Sequence, residues 1–170
     1  MLTHRLREQL GDDADAIDVT SAGTGALVDE PMQPFALQAL QALGVTAAEF
    51  AARDVDAAML VASDLVLTAT RQHRSLVVSA EPSVVRRTFT IKEFARLAAS
   101  LDGDAVPTPA ALVERVAGQR GWLPAVSAAE DDVADPYGSP AERYTRTAAE
   151  LDEAVTAIAI ALSGAQRGSP

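Results

Sequence analysis

No cysteine occurs in these 170 residues, which removes a disulfide framework, a thiolate metal site and a cysteine nucleophile together. Histidine is nearly as scarce, and His4 with His73 cannot complete a protein zinc centre. Aromatic residues make up only 4%, so the core has to be aliphatic, drawn from Ala, Val and Leu. Basic residues are outnumbered, 14 Lys and Arg against 24 Asp and Glu. The formal charge of -10 repels a phosphate backbone at long range and argues against a nucleic-acid partner. Long apolar runs are missing as well. Nothing approaches a membrane span, and the opening MLTHRLREQLGDD is amphipathic and charged, unlike the apolar centre of a signal peptide. The sequence therefore reads as cytoplasmic, with no membrane partner.

What is present is a globular composition, 48% hydrophobic and 22% charged, at a length that suits one domain with a core of its own. The expected layout is a single domain over residues 1–163 and a flexible C-terminal tail over 164–170.

Leu2, Leu6 and Leu10 form a helical stripe that Gly11 is placed to stop. Ile17, Val19 and Ser21 alternate before a run of glycines, which predicts a short strand entering a loop. Pro34 opens the next helix, carrying Leu37, Leu40 and Leu43, and Gly44 closes it. The continuous run Leu65-Val66-Leu67 suits a strand covered on both faces, hence a central one in a parallel sheet. A helix from Thr70 to about Pro82 and a strand over Val84–Thr90 follow. Thr90 and Glu93 have the spacing of a capping box for a helix bearing Phe94 and Leu97. Thr108, Pro109 and Gly118 delimit another helix, then comes a long polar loop. Ser139-Pro140-Ala141-Glu142 starts the last helix, whose stripe runs through Tyr144, Ala148, Leu151, Val155, Ile158 and Leu162. After an initial helix the order is β-α-α-β-α-β-α-α-α. It predicts an α/β fold with a mostly parallel sheet flanked by helices in three layers, and ligands beyond the carboxyl ends of the strands. Three loops fall there: Ser21–Leu27, Thr68–His73 and the one holding Asp135.

The tetrad Asp135-Pro136-Tyr137-Gly138 in that last loop has two readings. Asp first, Pro second and Gly fourth match a type I turn with the Asp side chain bonding nearby amides. The same rigidity would hold an aspartic acid where it can donate a proton to a leaving group. Arg71, His73 and Arg74 at a helix start could form an anion site, but with no second polar cluster aimed at them they read as solvated surface. SAGTG, Ser21 to Gly25, lacks the spacing of a nucleotide-binding loop. Glu130-Asp131-Asp132 lacks the alternating ligands of a calcium loop and reads as a solvated approach to the turn.

Taken in order, VTSAGT after a first helix, ASDLVLTATRQHR in the middle and VADPYG before a last helix make the chain resemble the low molecular weight protein tyrosine phosphatase family. The likeness covers nearly the whole chain, and VVRRTFTIKEFARL resembles the longer bacterial members. The resemblance implies the phosphotyrosine protein phosphatase I-like fold, a phosphotyrosine protein substrate and no metal or cofactor. It also implies that Asp135 is the general acid that protonates the departing tyrosyl oxygen and later helps activate water. Tyr137 would flank the phosphotyrosine ring, and Ser21 would support the phosphate loop.

The nucleophile of that family is a cysteine in a C-x5-R-S loop between the first strand and first helix, and no such loop occurs here. Met1-Leu2-Thr3-His4-Arg5-Leu6 resembles the helix just after it. The expectation is a sheet whose first, central strand is missing, hence gapped, rearranged or strand-swapped, with excess exposed apolar area. The chain should then be inactive as written. It would be an N-terminally incomplete phosphatase or a catalytically dead binding or regulatory relative. Arsenate reductases share the fold but also need cysteines, and DPYG leans towards phosphotyrosine.

Overall fold

The computed structural model describes residues 1–46, 50–101 and 106–167. Its helices are α1 (Leu2–Leu10), α2 (Pro34–Ala42), α3 (Ala57–Ala62), α4 (Arg71–Ala80), α5 (Ile91–Ala99), α6 (Pro109–Gly118), α7 (Ala128–Asp131) and α8 (Ala141–Arg167). Two strands, β1 (Val66–Thr68) and β2 (Thr88–Thr90), pair in parallel with Val66 opposite Thr88, Leu67 opposite Phe89 and Thr68 opposite Thr90. This is an α/β fold with a small parallel sheet, and the two-stranded sheet is the only one among the described residues.

Local signals account for most of the boundaries. Thr70 accepts from the His73 amide at the start of α4, and Thr108 from the Ala111 amide at the start of α6. Thr90 and Glu93 close the capping box of α5 reciprocally. Such caps satisfy amides that have no partner inside the helix. The long helix α8 packs against α1, α2, α5 and α6. Its Ile158, Ala159 and Leu162 meet Leu6 of α1, Phe94 and Leu97 of α5 and Val113 and Val116 of α6 in one aliphatic core. Phe89 of β2 and Phe94 stand edge to face at 5.2 Å in that core, and both are fully buried.

The structure corrects four of the sequence-based expectations about the fold. Ile17–Ser21 forms no strand. Ile17 is extended, at φ -112 and ψ 102, but no other segment pairs with the stretch as a strand among the described residues. The strand expected over Val84–Thr90 is strand only at Thr88–Thr90. A 3-10 helix, Pro82–Arg87, takes the rest because Pro82 starts it and the Glu81 side chain caps the Ser83 amide. The polar loop after Gly118 contains α7, held by Ser127 and Glu130 in a capping box of its own. The C-terminal tail is helical as far as Arg167, and it is docked. Ala165 is buried, and the Gln166 side-chain amide donates to the Asp13 carbonyl at 3.1 Å. The last part of the expected tail, Gly168 to Pro170, lies outside the described residues.

Cover is incomplete. The chain exposes 9952 Å², against about 8,000 Å² for a folded monomer of this mass. Leu27, Val28, Phe35, Val61 and Trp122 are among its exposed large apolar side chains.

Candidate functional site

The loop that carries Asp135 is pinned at the carboxyl end of the sheet before it reaches the aspartate. The Val133 amide donates to the carbonyl of Ala69, just past β1, at 2.9 Å. The Asp132 carboxylate accepts from the Arg71 amide at 2.7 Å, satisfying the first free N–H of α4. The Asp132 carbonyl accepts from Lys92 Nζ at 2.9 Å. Asp131 is buried and accepts from Arg71 Nη2 at 2.6 Å and Arg96 Nη2 at 3.2 Å. The bond to Asp131 and the nearby acidic charge hold the Arg71 guanidinium above its ordinary pKa.

These contacts overturn two expectations. Arg71 and Arg74 are not solvated surface: Arg71 spans to the acidic run, and Arg74 Nε donates to the Thr88 carbonyl at 3.1 Å. Burial and the neighbouring Arg120 push the Arg74 pKa down. Nor is Asp131 a solvated approach to the turn, since it is the carboxylate that Arg71 and Arg96 share. His73 contributes its backbone amide to the cap.

Beyond that anchor, Asp135 Oδ1 accepts from the Tyr137 amide at 2.9 Å, as the turn reading required. The turn itself sits one residue later than a type I turn over 135–138. The Ser139 amide donates to the Pro136 carbonyl at 2.9 Å, and Gly138, third in that turn, has φ +72. A positive φ at the third position is the signature of a type II turn, and glycine adopts it without the Cβ clash.

Asp135 and Tyr137 both line an open cleft of 310 Å³. Leu27, Glu30, Met32 and Phe50 also form its wall, together with Tyr144 of α8. Phe35 tilts against Tyr144 at 5.8 Å, and paired bonds between 29–30 and Ala52 brace the wall. The lining is aromatic and aliphatic with the carboxylates of Glu30 and Asp135, and it includes no lysine or arginine among the described residues.

Ser21 is not in this cleft. It is exposed, and its carbonyl accepts from Arg53 Nε at 2.8 Å while Gly23 bridges Asp54 in parallel. The Ser21–Leu27 loop thus reaches the site through Leu27 alone. Glu30, Met32 and Phe50 escaped the sequence reading. The only signals for them were Pro31 and Pro34 bracketing a short turn, and a phenylalanine in an aromatic-poor chain. No group of three His, Asp or Glu side chains among the described residues could hold a metal ion, and no helix is long and apolar enough to cross a membrane.

The family model for low molecular weight phosphotyrosine protein phosphatases matches residues 1–112. The chain belongs to that family. Solved phosphatases reproduce the fold along nearly its whole length. The low molecular weight protein tyrosine phosphatase of T. tengcongensis is 26% identical, with a TM-score of 0.64 over 92% of this chain and 84% of that one. The YwlE arginine phosphatase of Geobacillus stearothermophilus is 23% identical, with a TM-score of 0.64 over 94% and 81%. The tyrosine phosphatase Wzb of Escherichia coli K30, in complex with sulphate, is 19% identical, with a TM-score of 0.64 over 94% and 86%. No curated protein matches the chain. Within the phosphatase family the cysteine nucleophile defines the chemistry, and these 170 residues hold no thiol, consistent with inactivity as written.

Proposed function

We propose that this chain carries the proton-donating and ring-flanking half of a phosphotyrosine site and does not itself hydrolyse phosphomonoesters. The observation that carries the reading is Asp135, fixed by the Tyr137 amide beside an aromatic-lined cleft, on a loop anchored at the end of β1.

In that role the Asp135 carboxyl would give its proton to the tyrosyl oxygen as a nucleophile supplied from outside these residues forms its bond to phosphorus and the phosphorus–oxygen bond to the tyrosyl group breaks. As a carboxylate it would then take a proton from the attacking water. Tyr137, two-thirds exposed at the rim, would lie against the substrate ring. Ser21 acts only on a phosphate loop and has none to support within these residues. A phosphotyrosyl protein fits the cleft better than a phosphoarginyl one because the lining is aromatic and the tetrad carries a tyrosine. A cytoplasmic setting belongs to the same proposal.

The test is turnover of p-nitrophenyl phosphate and a phosphotyrosyl peptide by the 170-residue chain, together with chemical-shift mapping with phenyl phosphate. The expected result is no turnover and shifts at Asp135 and Tyr137 that Tyr137→Ala removes. Turnover that Asp135→Asn abolishes would overturn the inactivity. Shifts confined to residues outside the cleft would overturn the site.

A further inference from the structure

Arginines gather beside β2 in a chain that is otherwise strongly acidic. Arg71 and Arg74 stand one turn apart on the same face of α4, which makes their side chains neighbours. Arg96 of α5 joins Arg71 on the Asp131 carboxylate, and Arg120, two residues past α6, joins Arg74 on the Thr88 carbonyl. Only two carboxylates are bonded to these four guanidiniums: Asp131, which Arg71 and Arg96 share, and Glu93, which Arg120 holds. Asp132 also acts on Arg71, but its carboxylate is occupied by the first amide of α4. Counting it still leaves one guanidinium without a counter-charge.

The hydrogen bonds identify that group as Arg74. It has no ion-pair partner among the described residues, and its one side-chain bond runs from Nε to the Thr88 carbonyl at 3.1 Å. Arg120 Nη2 shares that carbonyl at 2.6 Å, so the two cations face each other across one oxygen. Nη1 and Nη2 of Arg74 have no partner. They reach solvent, because the only side-chain atoms buried without a partner among the described residues are Arg87 Nε and Gln166 Oε1. Burial first, and Arg120 second, lower the Arg74 pKa in spite of Glu93 and Asp131. A half-buried cation beside another cation is unfavourable until an anion joins it. The open end of a guanidinium is a planar fork that matches two oxygens of one oxyanion.

Net charge selects the anion. At -10 the chain repels an extended acidic partner at long range, whereas a compact dianion needs only the local excess of arginine. A phosphate group brings more charge than a carboxylate and more acceptor oxygens.

We infer that Arg74, flanked by Arg71 and Arg120, binds a phosphate dianion, free or as a monoester. This site is separate from the Asp135 cleft, whose lining includes no lysine or arginine among the described residues. Occupancy would fasten α4 to the segment after α6, whose guanidiniums meet on Thr88.

The experiment titrates inorganic phosphate into the 170-residue chain at an ionic strength held constant with chloride. It reads the arginine side-chain Nε–H resonances and the unfolding temperature. Arg74 should shift saturably, and the unfolding temperature should rise by about 3–6 °C at ten times the dissociation constant. Acetate at equal ionic strength should do neither. O-phosphoserine in parallel separates the two sources: binding like that of free phosphate shows that the monoester is accepted, and silence assigns the site to the free ion. Arg74→Gln should weaken phosphate binding at least about tenfold, and Arg74→Lys, which keeps the charge and loses the fork, should weaken it less. Asp135→Asn and Tyr137→Ala should leave it unchanged, so the site stands or falls independently of the cleft. The inference is overturned by an Arg74 resonance that does not saturate, or by acetate acting as phosphate does. Parent-like affinity in Arg74→Gln would overturn it too, and so would parent-like affinity in Arg74→Lys should the glutamine variant not fold.

Discussion

Replacing Asp131 with asparagine removes the charge at the most buried carboxylate described while keeping the side chain's shape. Its side chain is 5% exposed and receives three guanidinium contacts, Arg71 Nη2 at 2.6 Å and Arg71 Nε and Arg96 Nη2 at 3.2 Å. Asparagine keeps one acceptor and turns an NH2 towards donors. Losing one partner of a fully buried pair costs about 3–5 kcal/mol, but the Arg71 and Arg96 side chains are 42% and 34% exposed and can turn to water. The expected loss is therefore about 2–3 kcal/mol. With a urea m-value of about 2 kcal/mol/M, the unfolding midpoint falls by about 1–1.5 M. Glu150→Gln serves as the control. Its partner Lys92 is also bonded to the Asp132 carbonyl, and Glu150 is 39% exposed, so the cost stays below about 1 kcal/mol. A midpoint for Asp131→Asn within about 0.3 M of the parent would refute the view that this carboxylate anchors the loop.

Phe94→Ala deletes a fully buried ring set edge-on against Phe89 and should cost about 3–5 kcal/mol, read as a lower urea midpoint. Thr90→Ala removes the cap of α5 while leaving β2 in place, and about 1–2 kcal/mol should be lost in thermal unfolding. Gly138→Ala forces a Cβ into φ +72 and should cost about 1 kcal/mol. Chemical shifts of Asp135 and Tyr137 should move with it if the turn fixes the aspartate. Glu8, Glu81 and Glu130 are each held below the ordinary value of 4.5 by hydrogen bonds from Arg5, Ser83 and Ser127 respectively. A depressed folded pKa gives stability that is present above the unfolded value and lost as pH falls through the folded one. Urea midpoints should therefore hold from neutrality to about pH 5 and drop below about 4.5; a midpoint that rises on acidification would contradict the sign.

Elements whose determinants lie close together in sequence were legible. Thr90 with Glu93, Thr108 with Pro109, and the stripe of α8 each carry their signal within a turn or along one face, and each forms as expected. Elements that depend on distant partners were not. Arg71 and Asp131 are 60 residues apart and each sits among polar neighbours, so each alone looks like solvated surface, although they bond to one another. Ile17–Ser21 has strand chemistry, but a strand is defined by pairing, and alternation cannot report whether a partner is present. The same holds at the site. Asp135 and Tyr137 stand two residues apart in one short loop and could be found together, whereas Leu27, Glu30 and Phe50 reach the cleft through the path of the chain.

The local turn and the proposed catalytic role of Asp135 compete only if a turn excludes catalysis, and the turn bond leaves room for both. Bonding of Oδ1 to the Tyr137 amide fixes the side chain and leaves the second carboxylate oxygen without a hydrogen-bond partner among the described residues, which is what a proton donor needs. Yet an acid accelerates only the breaking of a bond that something else attacks. Its usual contribution of about 10²–10⁴ multiplies the action of a nucleophile and vanishes without one. In a chain with no thiol, Asp135→Asn should change the turn and leave turnover at the background of water, whatever the fidelity of the acid's placement. Position and competence are thus separable under the proposed role: the loop 131–138 would set where Asp135 delivers a proton, and the absence of a thiol decides whether that delivery would have any consequence.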